Sequence, residues 1–330
     1  MSSEGIILVL GVTGAGKSYF INQLKRRGSV SVAEERVEEG HTLNSETEVC
    51  QAVRIVLDDD DDDPRSITVV DTPGFDDTKR PDGEVFAEIS DYLAAQHASG
   101  IPLKGVLYLH KITENRMTGS SGTYLKILQQ LIGEEALGNT IMVTTMWYML
   151  REEFQGEGLN RQQQLIDEFW RPLIDKGAWV ARFDGTPASA FQIVSQLAGR
   201  ESVVLEHQRE LVDEERDLGA TGAGRSLLQQ LESTKVEYSL KLANLEKELE
   251  RETARGNRTA ALEKERQVAE ISTMLKRLDK SLSKLNTRPG PRIKQQVSRL
   301  MTGENATRAV SVLAAILNVT LFVVRVVVGA

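Results

Sequence analysis

The first 200 residues alternate between short apolar runs and stretches with helical periodicity. Short apolar runs bounded by turn residues predict buried strands, and apolar positions spaced by three and four predict helices. The predicted strands are residues 6–10, 49–57, 66–71, 105–110, 140–145 and 179–182. The predicted helices are residues 18–27, 84–97, 120–132, 159–176 and 187–197. This alternation predicts an α/β domain with a doubly wound parallel sheet over residues 1–200.

The pattern changes at about Glu201, where Leu, Glu, Lys, Gln and Arg dominate and turn residues become few. One run of apolar residues is spaced alternately by three and four, as in a heptad seam. Its members are Val268, Ile271, Leu275, Leu278, Leu282 and Leu285. Gly256-Asn257 predicts the turn of a helical hairpin, and residues 288–291, Arg-Pro-Gly-Pro, predict the end of its second helix. Residues 201–303 are therefore predicted to be all-α, as an antiparallel helical or coiled-coil segment.

Residues 304–330 form a C-terminal tail. Residues 309–330 are almost wholly apolar, interrupted by Asn318 and Arg325. A helix that spans a bilayer needs about 20 apolar residues. Arg325 lies near the end of this run, where its side chain can reach the membrane surface. The tail therefore predicts a membrane anchor, with a buried helix packed on the rest of the protein as the alternative.

The net charge of −8 is unevenly distributed, because residues 276–299 contain eight Lys and Arg and one Asp. This basic stretch before the apolar tail suits the cytosolic side of a membrane that contains anionic lipid. The acidic remainder argues against nucleic acid as a partner. A single cysteine, Cys50, cannot form an internal disulfide, and the N-terminus lacks the basic region of a signal peptide. We expect a cytoplasmic location, with attachment to a membrane if the tail is an anchor.

A phosphate-binding loop is predicted at residues 11–18, Gly-Val-Thr-Gly-Ala-Gly-Lys-Ser. The sequence matches G-x-x-x-x-G-K-[ST], whose glycines let the backbone fold around phosphate oxygens with its N–H groups pointing inward. Lys17 is expected to reach the β and γ phosphates, and the Ser18 hydroxyl to ligate Mg²⁺. A predicted strand precedes the loop and a predicted helix follows it, so that the helix N-terminus faces the phosphates.

A second motif, Asp71-Thr72-Pro73-Gly74, closes the predicted strand at residues 66–71. An Asp in this position holds the water shell of Mg²⁺, and the N–H group of the following Gly contacts the γ-phosphate. Asp-x-x-Gly after a hydrophobic strand is typical of switch GTPases, whereas P-loop kinases use a lid. The two motifs together predict a switch-type nucleotide-binding protein.

Three stretches resemble a known group of GTPases. They are residues 40–47 (GHTLNSET), 71–78 (DTPGFDDT) and 107–119 (LYLHKITENRMTG). They look like fungal G-domain proteins, which belong with the septin, Toc import-receptor and immunity-associated GTPases, and the resemblance spans about residues 5–200. It implies a Ras-like fold that binds GTP or GDP with Mg²⁺. It also implies a homodimer or homo-oligomer in which G domains pair across the nucleotide, and for some relatives a C-terminal membrane segment.

The resemblance gives candidate roles to two residues in loops. Thr47 matches the switch I threonine that closes on Mg²⁺ and the γ-phosphate, with Thr42 as the alternative in the same loop. Arg116 lies where immunity-associated relatives place an arginine that reaches a partner's phosphates, although a plain surface arginine is the alternative. Mg²⁺ is expected at Ser18, at Thr47 and, through water, at Asp71. The residues expected to contact the nucleotide are Gly11, Thr13, Gly14, Ala15, Gly16, Lys17, Ser18, Tyr19, Gly74, Thr145, Trp147 and Ser189.

The base-reading motif departs from the family pattern. Residues 145–148, Thr-Met-Trp-Tyr, stand where relatives have [NT]-K-x-D. The Asp of that motif accepts two hydrogen bonds from guanine, which the hydroxyl of Tyr148 cannot do. Trp147 is expected to stack on the base instead, and the loop at Ser189-Ala190 to contact the base's O6. The alternative carboxylates are Glu152 and Glu153.

Phe75 is the second departure, because Ras-like enzymes have a water-orienting Gln directly after the glycine. Phenylalanine cannot align a water molecule, so slow hydrolysis is expected unless a partner contributes. Asp76 or Asp77 is the alternative residue for orienting the water molecule.

Residues 219–226, Gly-Ala-Thr-Gly-Ala-Gly-Arg-Ser, nearly copy the phosphate loop, but no buried strand enters them. They are interpreted as a flexible joint between the two parts of the chain, not as a second nucleotide site.

These observations predict a slow GTPase whose G domains assemble when GTP is bound and separate after hydrolysis. Two alternatives stay open. Tyr148 and Phe75 also suit a scaffold that binds a nucleotide without turning it over. An ATPase is the third possibility, since the base preference is not fixed by the phosphate motifs.

Overall fold

The computed structural model describes residues 5–27, 50–56, 66–77, 80–114, 119–300 and 321–325. Its strands are β1 (Gly5–Gly11), β2 (Gln51–Val56), β3 (Ser66–Asp71), β4 (Leu103–Lys111), β5 (Thr140–Thr145), β6 (Trp179–Arg182) and β7 (Leu321–Arg325). The six strands predicted from the sequence are confirmed. The seventh, β7, comes from the apolar tail and was not predicted.

The α-helices alternate with these strands up to residue 198 and then follow one another. They are α1 (Lys17–Arg27), α2 (Asp82–Ala98), α3 (Gly119–Ile132), α4 (Gln155–Gln164), α5 (Arg171–Ile174), α6 (Pro187–Ala198), α7 (Glu206–Gln208), α8 (Gly222–Ala254), α9 (Arg258–Leu285) and α10 (Pro289–Leu300). A π-helical turn, Leu165–Trp170, joins α4 to α5, and a second one, Arg209–Asp213, continues α7. The predicted α/β fold with an all-helical C-terminal region is therefore confirmed.

The sheet has the order β6-β5-β4-β1-β3-β2-β7. β1 lies between β3 and β4 and pairs with both in parallel, and β4, β5 and β6 are also parallel. β2 is antiparallel to β3, and β7 is parallel to β2. Because the chain adds strands first on one side of β1 and then on the other, the carboxyl ends of β1, β3 and β4 meet at the edge where such sheets bind ligands.

The centre of the sheet is covered on both faces. Every residue of β1 is buried, as expected of a central parallel strand between helical layers. α1 packs against α6 on one side of the sheet. Right-handed crossovers place α2 and α3 on the other side. This second helical layer then receives the C-terminal helices.

α8 and α9 form the predicted hairpin. Gly256 adopts a φ of +71° at the turn, which favours glycine. The side chain of Asn257 caps α9 by accepting a hydrogen bond from the N–H of Ala260. The buried apolar residues of the two helices include Leu231, Leu245, Ile271 and Leu285. Ion pairs fix the antiparallel register at Lys235–Asp279 (2.6 Å) and Lys264–Glu248 (2.5 Å).

The hairpin lies on the second helical layer of the G domain. α8 packs on α3, and both α9 and α10 pack on α2. The N–H of Gly83, in the first turn of α2, donates to Ser281 Oγ over 3.2 Å. Residues of the basic stretch pair with acids of the protein itself, at Lys280–Glu84 (2.6 Å), Arg292–Asp91 (2.7 Å) and Lys294–Glu215 (3.1 Å). The stretch 276–299 therefore helps to hold the helices on the G domain, which the sequence did not indicate.

The look-alike of the phosphate loop, residues 219–226, contains the start of α8 and is not a flexible joint. Thr221 Oγ1 accepts a hydrogen bond from the N–H of Gly224 over 2.9 Å and caps the helix. The N–H of Gly222 donates to both carboxylate oxygens of Glu210, over 2.9 and 3.0 Å. Arg216 Nη1 donates to the same carboxylate over 2.7 Å. An internal carboxylate therefore fills the anion-binding end of this helix.

The segment between the G domain and the hairpin packs on α2. His207 is buried, and its Nε2 lies 2.8 Å from Ser90 Oγ. Burial lowers the pKa of His207 to about 3, so the ring is neutral at physiological pH. Val203 adds a single bridge to Leu103 of β4. The boundary at residue 200 stays a prediction.

The described part of the tail is a strand. β7 pairs with β2, with Ala52 opposite Leu321 and Val56 opposite Arg325. The tail was expected to be a membrane anchor or a buried helix, and for these five residues the structure instead shows sheet pairing. The rest of residues 304–330 lies outside the described residues. Within the described ranges, no helix is long and apolar enough to cross a membrane.

Candidate nucleotide-binding site

The phosphate loop connects β1 to α1 at the carboxyl edge of the sheet. Gly14 and Gly16 have φ angles of +76° and +88°, a backbone conformation that side chains with a Cβ rarely adopt. These two residues turn the chain so that α1 begins at Lys17 with its N-terminus facing the loop. The free N–H groups of such a helix end attract anions. The loop is thus built as the sequence predicted.

Lys17 is held across the loop. Its side chain is 6% exposed, and Nζ donates to the carbonyls of Gly11 and Val12 over 3.1 Å each. Burial lowers the pKa of Lys17 to about 8, while the nearby carboxylates of Asp71 and Asp77 act in the opposite direction. The ammonium group is therefore positioned inside the loop, where a phosphate would stabilise its charged form.

Ser18 and Asp71 meet at the predicted metal position. Ser18 Oγ donates to Asp71 Oδ2 over 2.7 Å, although the two residues lie far apart in the sequence. Asp71 is the last residue of β3 and is fully buried. Thr72 Oγ1 donates to the carbonyl of Val9 over 2.8 Å and fixes the end of β3 against β1. A hydroxyl and a carboxylate are the oxygen donors that Mg²⁺ prefers, so this pair fits that ion.

The Asp-x-x-Gly segment lies directly on the phosphate loop. A Cβ placed on Gly74 would lie 2.6 Å from the N atom of Thr13, so only glycine fits there. Thr13 Oγ1 donates to the carbonyl of Gly74 over 3.3 Å, and the N–H of Thr13 donates to the carbonyl of Phe75 over 2.7 Å. The structure therefore brings Gly74 and Thr13, both predicted site residues, into contact.

The ring of Phe75 is buried against α3. It is 7% exposed and stacks on Tyr124 of α3, with ring centroids 5.3 Å apart and planes at 21°. Tyr124 Oη donates to Asp82 Oδ2 over 2.7 Å, at the first residue of α2. The ring of Phe75 therefore packs on α3, and the Tyr124 hydroxyl extends this contact to α2.

Thr145 and Trp147 are buried on the base side of the site. Thr145 Oγ1 donates to the carbonyl of Ala15 over 2.8 Å and ties the end of β5 to the phosphate loop. Trp147 is 4% exposed, and its Nε1 donates to Thr144 Oγ1 over 3.0 Å. The guanidinium of Arg182 covers the Trp147 ring at 3.7 Å from the centroid. This packing favours a structural role for Trp147 over the predicted stacking on a base.

Tyr148 is the exposed aromatic residue at this position. It is 53% exposed, and its ring lies 5.4 Å from that of Tyr19. Tyr19 Oη donates to the carbonyl of Gly185 over 3.2 Å. A Cβ placed on Gly185 would lie 2.8 Å from Tyr148 Cδ1. Tyr19, Tyr148 and the loop after β6 thus form one surface beside the phosphate loop.

Residues 5–166 match the family model described as the AIG1 family. These residues form an AIG1 family P-loop GTPase domain. Among solved structures, the chain is similar to Toc33 from Arabidopsis thaliana in complex with GDP and Mg²⁺, with 16% identity over 62% of this chain and 88% of that chain and a TM-score of 0.45. It is also similar to the signal recognition particle receptor SRb-GTP/SRX complex from Chaetomium thermophilum, with 14% identity, coverage of 54% and 89%, and a TM-score of 0.33. No curated protein sequence matches the chain.

Two residues predicted to act in the AIG1 domain, Thr47 and Arg116, lie outside the described residues. Ser189 needs a correction, because it lies inside α6 and not in the loop that precedes it. Its N–H donates to Thr186 Oγ1 over 3.2 Å, as in a capped first helical turn. The loop after β6 is residues 183–186.

The sequence analysis missed Asp184, Gly185 and Met146 on the base side of the site. Asp184 Oδ1 accepts hydrogen bonds from the N–H and the hydroxyl of Thr186, over 2.8 and 2.7 Å. Asp-Gly directly after a strand is a turn signal that could have identified this loop. Met146 adopts a φ of +62°, and its Cε would lie 3.8 Å from a Cβ on Gly16. No sequence signal indicated this backbone conformation.

Proposed function

We propose that this chain is a GTP-binding protein that hydrolyses GTP slowly and assembles through its G domain in the GTP-bound state. The observation that supports this most directly is the convergence of Lys17, Ser18, Asp71 and Gly74 at one edge of the sheet. These residues come from β1, β3 and the segments that follow them. Together they supply a cation, oxygen donors and a backbone N–H group for a triphosphate and its metal ion.

Each group has a defined task in nucleotide binding. The N–H groups of Gly14 and of residues 16–18 would surround the phosphates, and the Lys17 ammonium would balance the charge of the β and γ phosphates. Ser18 would hold Mg²⁺ directly, as would Thr47, and Asp71 would hold it through water. When bound, Mg²⁺ supplies positive charge that stabilises the phosphate oxygens. The ligand is a guanine nucleotide, GTP or GDP.

Slow hydrolysis follows from the position of Phe75. Its ring is stacked on Tyr124 and carries no group that could orient water. Asp76 is exposed, and its N–H donates to Asp82 Oδ1 over 3.1 Å. We therefore infer that efficient turnover needs a group from a second protein, for which Arg116 of a paired G domain is the candidate.

The contacts of Phe75 also connect the phosphate loop to the helices. Its carbonyl accepts the hydrogen bond of Thr13, and its ring packs on Tyr124. Tyr124 Oη donates to Asp82 of α2, and α3, which carries Tyr124, packs on α8. A shift of residues 74–75 on GTP binding would therefore act on α2, α3 and α8 together. This arrangement suits a protein whose helices transmit or scaffold the nucleotide state.

A competition experiment tests nucleotide binding and turnover. We expect GTP to displace a fluorescent GDP analogue at micromolar concentration, with slow release of phosphate. Lys17→Ala is the control, because it removes the buried ammonium while leaving the rest of the sheet unchanged; it should abolish both signals. GTP binding without turnover would favour the second candidate, a nucleotide-binding scaffold, which the buried Phe75 ring also suits. ATP that competes as well as GTP would indicate an ATPase.

Assembly is tested by the dependence of turnover on protein concentration. If a second G domain supplies a group, the rate per protomer should rise with concentration and level off at saturation. Arg116→Ala should remove the rise while leaving the rate at high dilution unchanged. A flat rate for the unmodified protein would count against pairing. A cytoplasmic G domain held at a membrane stays a prediction.

A further inference from the structure

The edge of β2 is filled by a strand from the far end of the chain. β7 pairs with β2 in parallel over residues 321–325. β2 therefore has hydrogen-bonded neighbours on both sides, β3 and β7, whereas β7 has one. Without β7, β2 would be the edge of the sheet and would present a row of unpaired N–H and C=O groups. Such an edge accepts an added strand from another segment or another chain.

The side chains of β2 fix it firmly in the sheet. Val53 and Ile55 are fully buried, and Ala52 is 4% exposed. Arg54 Nε donates to Ser66 Oγ of β3 over 3.1 Å. The bond to Ser66 and the pairing with β3 do not involve the tail, so β2 keeps its position whether or not a strand is added. In strand addition, main-chain hydrogen bonds to such a fixed edge supply the affinity.

Residues 321–325, Leu-Phe-Val-Val-Arg, are also compatible in sequence with insertion into a membrane. They lie within the apolar run 309–330, which is long enough for a membrane-spanning helix. β-branched and aromatic residues favour a strand on a protein surface, and the same apolar side chains favour lipid. The two states exclude one another, because a helix in lipid bonds its own backbone while β7 bonds that of β2.

We propose that the edge of β2 is a strand-docking site whose resident strand is residues 321–325 of the same chain, and that an anionic bilayer withdraws this strand. Among the described strands β7 pairs with β2 alone, so its departure leaves the other six described strands paired. The basic stretch 276–299 precedes the tail, and its exposed cations outside its internal ion pairs, Lys276 and Lys284, draw the protein to anionic lipid. Withdrawal frees the edge of β2, which begins four residues after Thr47 in the sequence.

Hydrogen exchange of the β2 amides in the full chain tests docking. Val323→Pro combined with Val324→Pro removes two consecutive N–H groups, one of which must face β2 whatever the register. The matched control, Val323→Thr with Val324→Thr, keeps both N–H groups and the branched shape. Those amides of residues 51–56 that face β7 should exchange at least about tenfold faster in the proline variant and at the native rate in the threonine variant, while those that bond to β3 stay protected in both. Equal rates in all three proteins would overturn the docking site.

Vesicles of phosphatidylserine and phosphatidylcholine test the withdrawal. The native chain should bind them, and its β2 amides should then exchange at the rate of the proline variant. The proline variant should show no further increase. Lack of vesicle binding, or binding without faster β2 exchange, would overturn the proposal. Native exchange that slows with rising protein concentration would also overturn it, since the strand would then come from a second copy. None of these readouts uses nucleotide, so they are independent of GTP binding.

Discussion

Substitution of Tyr148 tests directly how this protein recognises the base of the bound nucleotide. It occupies the position from which relatives accept two hydrogen bonds from guanine, and it is half-exposed beside Tyr19. We predict that Tyr148→Asp increases the preference for GTP over ATP. The loss of one partly exposed aromatic contact costs about 1 kcal/mol. Each hydrogen bond to a charged acceptor contributes about 1.5–3 kcal/mol, so two of them outweigh that loss.

The expected change in preference follows from these values. A net gain of about 3 kcal/mol for guanine corresponds to about a hundredfold change in the ratio of GTP to ATP affinity. Adenine gains nothing, because it presents an acceptor where guanine presents the N1–H group. The ratio should be measured by competition of GTP and ATP against the same fluorescent GDP analogue at constant Mg²⁺. Taking the ratio removes any general effect of the substitution on folding or phosphate binding.

Two control variants separate charge from shape. Tyr148→Asn has the size of Asp without its charge and should give a small part of the gain. Tyr148→Phe removes the hydroxyl alone and should leave the ratio unchanged. A Tyr148→Asp variant that binds GTP with an unchanged ratio would refute the reasoning. So would a native ratio already above about a hundredfold, which would place recognition elsewhere, with Asp184 in the loop after β6 as the first residue to test.

Three further predictions concern the contacts around the site. Gly74→Ala places a Cβ 2.6 Å from the N atom of Thr13. Urea unfolding should show a stability lower by about 1–3 kcal/mol, and GTP turnover should fall by at least about tenfold. Unchanged values of both would contradict the contact. Glu210→Ala leaves the buried N–H of Gly222 without its acceptor; urea unfolding should show a loss of about 3 kcal/mol, with Glu210→Gln intermediate. Burial lowers the pKa of His207 to about 3 in the folded state. Below about pH 6.5 the unfolded state therefore binds a proton at this residue that the folded state does not bind. Stability should therefore fall by up to about 1.4 kcal/mol for each pH unit between 6.5 and 3, and His207→Gln should reduce this slope.

The α/β domain was predictable because its signals are local. Buried parallel strands such as β1 are continuous apolar runs, and each lies between turn residues and a helical pattern. β7 was not predictable in this way. An apolar segment with a high β-branched content is compatible with a strand or with a spanning helix, and β2, its partner, lies far away in the sequence. The choice depends on the unpaired edge of β2, which no local pattern reveals.

The phosphate side of the site was predictable for a similar reason. The spacing within residues 11–18 fixes the loop, and Asp71 at the end of a strand reaches Ser18 as expected. The base side depends on tertiary packing. Trp147 was expected to face the base, but Arg182 covers it from β6. The cover of Trp147 depends on a contact between β5 and β6 that the sequence does not show. Ser189 was expected to act as a loop residue although it lies within the predicted helix 187–197, and the structure places it in α6, which Thr186 caps.

Residues 219–226 show how much a motif depends on its surroundings. Their sequence differs little from the phosphate loop, and both stretches lead into a helix N-terminus. In the phosphate loop, Lys17 contacts two carbonyls, and within the described residues no carboxylate accepts a hydrogen bond from its backbone N–H, the first of α1. At the second stretch, the carboxylate of Glu210 already occupies the helix end. A fixed internal anion excludes a phosphate by charge and by space.

Phe75 lacks a group that orients water, but its ring makes a packing contact that connects residues 74–75 to the helices. In this position a glutamine would project towards the attacking water, whereas the phenylalanine ring is buried against Tyr124. The same ring links residues 74–75 to α3, and through the Tyr124 hydroxyl to α2. A side chain used as a packing link cannot also orient water. Under the proposed function, the bound nucleotide would therefore persist long enough for its state to be transmitted to the helices.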